Sequence, residues 1–108
     1  MKARLLILLL GAVACGGTES SGYSCDQRSA NKACLEYSGA TEYISAYKSA
    51  CTSPGVWAET ACPKDQQIGG CRQSEAGNSF TTWFYTGGPY DSTTIQSACT
   101  APSSFVAP

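Results

Sequence analysis

The sequence contains no histidine among its 108 residues. This absence excludes Ser/His and Cys/His nucleophile systems, and it removes the most common general base and most catalytic zinc sites. The chain also lacks close C-x2-C cysteine pairs, a phosphate-binding glycine loop, a dinucleotide-binding glycine pattern and an EF-hand loop. We therefore expect a protein that is not an enzyme and that holds neither a metal nor a cofactor.

Charged side chains are also scarce, at 14% of the residues. The carboxylates are the only candidates for general acid or base work. A glycosidase would need two of them facing one cleft, and a chain this short leaves little room for a deep cleft. We interpret them as solvated surface charges: Glu36, Glu42, Glu59, Asp65, Glu75 and Asp91.

The longest apolar stretch, Leu5 to Ala14, is about half of the roughly 20 residues that a transmembrane helix needs. It follows the basic residues Lys2 and Arg4 and ends in small residues, which is the layout of a secretory signal. We predict a signal peptide over residues 1–14. Without its two basic residues the chain is acidic, which argues against nucleic acid as a partner.

The end of this stretch, Ala12-Val13-Ala14-Cys15, resembles the lipobox of bacterial lipoproteins. The resemblance implies a diacylglycerol on the Cys15 thiol, cleavage just before Cys15, and acylation of the new amino group. Gly16 stands where an inner-membrane lipoprotein of the enteric type has Asp, which implies the outer membrane. Ala12-x-Ala14 also fits ordinary signal-peptidase cleavage, so a periplasmic or secreted protein is the alternative.

Seven cysteines remain to be explained, and an odd number in an exported protein calls for a reason. Lipid on Cys15 leaves an even set that predicts a disulfide scaffold: Cys25, Cys34, Cys51, Cys62, Cys71 and Cys99. The favoured pairing is Cys34–Cys51, Cys71–Cys99 and Cys25–Cys62. The rival pairing is Cys25–Cys34, Cys62–Cys71 and Cys51–Cys99.

An internal repeat supports both pairings. Cys25-x8-Cys34 and Cys62-x8-Cys71 share a spacing, and Ser-Ala-Cys-Thr recurs at Cys51 and at Cys99. We interpret residues 15–22 as a lipidated cysteine with a flexible tether, and residues 23–108 as one disulfide-stapled α+β domain. Its fold would be two diverged strand-helix-strand copies that form a short antiparallel sheet with two helices.

The predicted elements follow from periodicity and from turn residues. They are strands at Ala33–Tyr37, Val56–Glu59, Gln67–Gln73 and Ser79–Thr86, an edge strand at Phe105–Val106, a turn at Ala76–Asn78, a helix over Glu42–Cys51 capped by Thr41, and a short helix capped by Asp91 or Ser92 that runs to Cys99.

Alternation in the strand Ser79–Thr86 places Phe80 and Phe84 on one face, and Trp83 and Tyr85 on the other. If only one face is covered, Trp83 and Tyr85, with Tyr90 just beyond, form an exposed platform that could bind an envelope glycan or a protein. The alternative is that helices or the tether cover both faces.

Three further motifs, Pro54-Gly55-x-Trp57, Ala61-Cys62-Pro63 and Gly69-Gly70-Cys71, resemble a type of small cysteine-rich lipoprotein from Gram-negative bacteria. The resemblance implies only a location and a disulfide framework. The sequence thus predicts an outer-membrane lipoprotein with a binding or structural domain, attached to the membrane by lipid on Cys15. A secreted inhibitor or effector is the alternative.

The lipid on Cys15 can be tested directly. We expect Cys15→Ser to move the protein from the membrane to the soluble fraction, because the acyl chains are its predicted anchor. Cell fractionation measures the shift, and whole-protein mass spectrometry of the unaltered chain should show the added acyl mass. A Cys15→Ser variant that still partitions into detergent would contradict the prediction.

Overall fold

The computed structural model describes residues 22–108, so the signal peptide, Cys15 and most of the tether lie outside the described residues. These residues form a small α+β domain with three helices, a six-stranded antiparallel sheet and three disulfides. The elements are β1 (Tyr23–Asp26), α1 (Arg28–Asn31), β2 (Ala33–Ser38), α2 (Thr41–Ala50), β3 (Val56–Ala58), β4 (Gln67–Glu75), β5 (Asn78–Tyr85), α3 (Ser92–Ala98) and β6 (Ser104–Val106).

The sheet is larger than the sequence predicts, and β1 and α1 are elements that it does not predict at all. The strand order is β3-β1-β2-β5-β4-β6. The predicted turn between β4 and β5 is confirmed. Glu75 pairs with Asn78, and the two residues between them, Ala76 and Gly77, both have positive φ angles, as a two-residue hairpin turn of type I′ requires.

The two longer helices begin differently. In α3, the Asp91 Oδ1 atom accepts a hydrogen bond from the Thr94 N–H at 2.8 Å, so the predicted Asp91 cap is confirmed. In α2 the predicted Thr41 cap is wrong, because Ala40 is the N-cap residue and makes no side-chain cap. The chain before α2 is held instead by the Ala40 N–H, which donates to the Asn78 Oδ1 atom at 2.9 Å.

The strand order has an approximate twofold symmetry. Exchanging β1 with β4, β2 with β5, and β3 with β6 returns the same sheet, and α2 then corresponds to α3. The axis passes between Leu35 and Thr82, which pair directly. Apart from the short α1 in the first half, each half is therefore strand-strand-helix-strand. The predicted strand-helix-strand copy is wrong for the first half, because it omits β1 and α1, and the domain has three helices instead of two. The second half contains the two hairpin strands, the helix and the edge strand that the sequence predicts.

Two disulfides obey this symmetry. Cys25–Cys51 joins β1 to the end of α2, and Cys71–Cys99 joins β4 to the end of α3. The prediction of Cys71–Cys99 is confirmed. The third disulfide, Cys34–Cys62, is asymmetric, and it ties β2 to the connector formed by residues 59–66 between β3 and β4.

The other predicted pairings, Cys34–Cys51 and Cys25–Cys62, are wrong, as is every pair of the rival set. Cys25 pairs with Leu35 across the sheet and lies on the face that α2 covers, whereas Cys34 precedes Leu35 and lies on the opposite face. Cys51 at the end of α2 can therefore reach Cys25 and not Cys34. The equal spacing of the two x8 pairs does not reflect equivalent positions.

The helix-covered face of the sheet holds an aromatic cluster. Cys25, Tyr37 and Ile44 are buried there. Half-buried side chains pack around them: Tyr23, Leu35, Tyr43, Tyr47, Cys51, Trp57 and Phe80.

The connector covers the other face. Cys34, Cys62, Trp83 and Tyr85 form a buried cluster beneath it. The Glu36 Oε1 atom accepts hydrogen bonds from the Trp83 Nε1–H at 3.1 Å and from the Cys62 N–H at 3.0 Å. The Tyr85 hydroxyl donates to the carbonyl of Pro63.

The expected exposed platform of Trp83 and Tyr85 is therefore wrong, since these side chains are only 5% and 3% exposed. The alternative prediction, that both faces of the sheet are covered, is correct. The face that holds Trp83 and Tyr85 is covered by the connector, however, and not by a helix or the tether. Gly70 permits the arrangement: a Cβ atom at this position would lie 2.8 Å from the Trp83 ring.

Stability measurements can check this reversal of the two faces. We expect Trp83→Ala to lower the free energy of unfolding by about 3–5 kcal/mol, because it leaves a cavity and removes a buried hydrogen bond. Phe84→Ala should have a smaller effect, since Phe84 is only half-buried. Val56→Ala, at a position 64% exposed, is the control. Denaturant melts with the disulfides intact give the three values, and a larger loss for Phe84→Ala than for Trp83→Ala would contradict the assignment.

Candidate binding groove

An open groove of about 330 Å³ lies between α2 and the β4–β5 hairpin. We call it the tyrosine groove. Its helix wall is aromatic and its hairpin wall is mostly polar. Its lining residues are Tyr43, Tyr47, Gln73, Glu75, Ala76, Asn78 and Phe80.

Helix and strand periodicity place these side chains together. Tyr43 and Tyr47 are four residues apart in α2 and share one face, with ring centroids 5.0 Å apart and planes at 63°. Gln73 and Glu75 are two residues apart in β4 and share one side of the strand. Their partners in β5 are Phe80 and Asn78, respectively, which completes the hairpin wall.

The aromatic wall is backed by the buried ring of Tyr37. This ring stacks on Tyr47 with centroids 4.4 Å apart, on Trp57 at 5.9 Å, and meets Tyr43 edge-on at 6.4 Å. Because each ring contacts others in defined orientations, Tyr43 and Tyr47 are held in place from behind. Both remain half-exposed toward the groove.

The polar wall is also held in a fixed orientation. The Asn78 Oδ1 atom accepts from the Ala40 N–H, and the Gln73 Oε1 atom accepts from the Ser103 hydroxyl at 3.3 Å. With both amide oxygens engaged, the amide NH₂ groups are oriented as donors. Gly39 makes the first contact possible, because its φ of +150° favours glycine and a Cβ atom there would collide with Asn78.

Burial raises the pKa values of two of these tyrosines, Tyr37 and Tyr43. Burial, followed by the neighbouring Tyr47 and then Tyr43, raises the pKa of Tyr37 to about 12. Burial also raises the pKa of Tyr43, with smaller contributions from Tyr47 and Glu75. At neutral pH these side chains are hydrogen-bond donors and carry no charge.

Two further grooves lack the paired aromatic and amide side chains of the tyrosine groove. One, of about 200 Å³, lies between α2 and β3 and includes Lys48, Trp57 and Glu59. The other, of about 350 Å³, lies beside α1, where Arg28 forms an ion pair with Asp26 at 2.8 Å. The side-chain hydrogen bonds from Arg28 lower the pKa of Asp26.

The carboxylates are dispersed. Glu75, Glu59 and Asp26 each line a different one of the three grooves. Glu36 is engaged beneath the connector, and Asp91 caps α3, where the Thr94 N–H lowers its pKa. None of these three grooves has the paired carboxylates that a glycosidase needs.

The three residues predicted to bind a ligand do not form one exposed surface. Trp83 and Tyr85 are buried beneath the connector, whereas Tyr90 is 41% exposed and packs against Phe84 on the helix-covered face, with ring centroids 4.7 Å apart. The sequence places Tyr43 and Tyr47 four residues apart in the predicted helix, which puts them on one face of it. Their hydroxyl groups were the sequence signal that could have identified the groove. Two tyrosines on one helix face are better suited to a half-exposed surface than to a fully buried core, because each hydroxyl needs a hydrogen-bond partner.

Within residues 22–108, no group of three metal-ligating side chains is placed to hold an ion. None of the helices in that range is long and apolar enough to cross a membrane. No family model, curated protein or solved structure matches the chain.

The buried tyrosine beneath the groove gives a prediction of pH dependence. The pKa of Tyr37 is about 12 in the folded protein, whereas its ordinary value, which applies to the unfolded chain, is 10.0. The buried Tyr37 should therefore make its full contribution to the free energy of unfolding below pH 10. This contribution should disappear as the pH rises toward 12, at a cost of roughly 2–3 kcal/mol.

An ultraviolet titration of tyrosinate absorbance should include a late transition near pH 12, and Tyr37→Phe should remove that transition while keeping the ring. The Tyr90→Phe control should leave the late transition in place. If Tyr37→Phe left the late transition in place, the assignment would be incorrect.

Proposed function

We propose that this protein is an outer-membrane lipoprotein whose stapled domain binds a component of the cell envelope in the tyrosine groove. The export signal and the lipobox-like motif at Cys15 support the anchor. Three disulfides support an oxidising compartment outside the cytoplasm. The proposed role is binding and not catalysis.

The observation that carries this proposal is the pair of half-exposed rings, Tyr43 and Tyr47, facing oriented amide groups across an open groove. A tyrosine ring offers an apolar face and a polar tip, which suits it to binding surfaces. A concave site with aromatic walls and a few fixed polar groups is the usual form of a ligand site.

The position of the groove suits an envelope ligand. The first residue of β1, Tyr23, pairs with Tyr37, and Tyr37 pairs with Phe80 in the groove. The groove therefore lies at the end of the sheet where the chain leaves the tether. The seven residues 16–22 span on the order of 15 Å if flexible, so the bound component would lie close to the membrane.

Charge narrows the choice of partner. Glu75 is the one charged side chain among the lining residues of the groove. This carboxylate, together with the acidic balance of the chain after the signal peptide, disfavours nucleic acid and anionic lipid headgroups. An envelope glycan or a protein remains as the partner.

A secreted inhibitor or effector is the second candidate, because Ala12-x-Ala14 also fits ordinary signal-peptidase cleavage. The same folded domain would then be released, and the groove would meet its ligand away from the membrane. Mass spectrometry at Cys15 separates the two candidates.

Envelope retention tests the groove. The Cys15→Ser protein is released from the membrane when cells are lysed and diluted, so it is purified and added back to envelope fragments of its own bacterium at high concentration. We expect it then to co-sediment with the fragments, and an added Tyr43→Ala to reduce the retained fraction at least about fivefold, because a central aromatic contact is lost. Tyr90→Ala, an exposed aromatic outside the groove, is the matched control and should bind normally.

Thermal melts should show that all three variants are folded. Equal retention of the Tyr43→Ala variant and its parent would contradict the proposal. Loss of retention only in the Tyr90→Ala variant would place the binding site beside α3 instead.

A further inference from the structure

We propose that the ligand of the tyrosine groove is a neutral carbohydrate built of pyranose rings. This inference rests on the proposed function, since it names the ligand class of the same groove. It follows from three properties of the groove: the aromatic wall, the polar wall opposite it, and the sign of its charge.

The aromatic wall fits the apolar face of a sugar. A pyranose ring has one face formed mainly by C–H groups, which packs on an aromatic ring much as other apolar groups do. Tyr43 and Tyr47 both line the groove with their ring planes at 63°, and the ring of Tyr37 contacts both of them from behind. A flat chain of sugar rings can lie against one surface while its edge meets the other.

The polar wall fits the hydroxyl groups of a sugar. A hydroxyl both donates and accepts hydrogen bonds. The amide NH₂ groups of Asn78 and Gln73 are oriented as donors, and the Glu75 carboxylate accepts. Because the Asn78 and Gln73 side chains already make hydrogen bonds within the domain, they lose little freedom on binding.

The charge of the groove favours a neutral ligand. No Lys or Arg is among its lining residues, and Glu75 gives it negative charge. A phosphate, sulfate or carboxylate on the ligand would be repelled and would find no cationic partner. A wholly apolar ligand is disfavoured as well, because it would desolvate the amides and the carboxylate without replacing their hydrogen bonds.

The size of the groove sets the length of the ligand. Its volume of about 330 Å³ is at the lower end of the range for small-molecule sites, roughly 300–1,000 Å³. One or two sugar rings would fill it. Since the groove is open, a longer glycan can extend beyond it.

The test uses the full lipidated protein in a zwitterionic detergent, because detergents with sugar headgroups would compete. Maltotetraose, cellotetraose and fully N-acetylated chitotetraose are the neutral probes, and a heparin tetrasaccharide is the anionic probe of similar length. We expect calorimetry to detect at least one neutral probe with a dissociation constant of about 1 mM or lower, and the heparin probe to show no binding.

Three variants locate the site. Tyr43→Ala should weaken the neutral probe about tenfold or more, because it removes the stacking surface. Tyr43→Phe keeps the ring and should change the affinity by less than about threefold. Tyr90→Ala, outside the groove, should leave the affinity unchanged.

Several outcomes would overturn the inference. The inference is wrong if the heparin probe binds more tightly than the neutral probes, or if no neutral probe binds at about 10 mM. It is also wrong if Tyr43→Ala leaves the affinity for the neutral probe unchanged. Failure of the broader proposal is distinguishable. If Tyr43→Ala abolishes envelope retention while none of the sugar probes binds, the groove is a binding site for another ligand. In that case the carbohydrate assignment is wrong and the proposed binding function stands.

Discussion

The pairing of β2 with β5 is the constraint on which the rest of the structure depends. It joins the two halves of the sheet through six residue pairs, from Ala33 with Phe84 to Ser38 with Ser79. On one face it brings Tyr37 beside Phe80, which forms the base of the tyrosine groove. On the other face it brings Cys34 beside Trp83, where the connector packs. Both layers of the domain therefore share this register.

Disulfides reinforce a chain that has few large aliphatic side chains. The three bridges have sequence separations of 26, 28 and 28 residues. In the chain-entropy model, each bridge lowers the conformational entropy of the unfolded chain and so stabilises the folded state by about 3.5 kcal/mol. Two of them fasten a helix end to a strand, and the third fastens the connector. Each covering layer of the sheet is thus held covalently as well as by packing.

Much of the fold was predictable, because most elements have a clear period and clear boundaries. The strands at Val56 and Gln67, the helix ending before Cys51 and the hairpin turn at Gly77 are found close to their predicted positions. The strand β1 was not predicted, since four mixed residues carry little periodic signal. Its absence from the prediction led directly to the incorrect disulfide pairs, because Cys25 had no assigned face.

The groove was less predictable than the fold, since its walls are far apart in sequence. Helical periodicity places Tyr43 and Tyr47 on one face of α2, and it cannot show the distance between that face and the β4–β5 hairpin. The pairing of β4 with β5 and the contact of Asn78 with Ala40 decide that distance. Likewise, no local pattern indicated that residues 59–66 would cover Trp83.

The twofold symmetry of the sheet has a consequence for assembly. Because Leu35 pairs with its own symmetry equivalent, Thr82, the inner strands β2 and β5 meet in an antiparallel register centred near this pair. Two identical first halves from separate chains could therefore meet edge to edge through β2, as in an isologous dimer. The asymmetric Cys34–Cys62 bridge works against such an exchange, because it fixes the connector that leads the chain from its own β3 to its own β4.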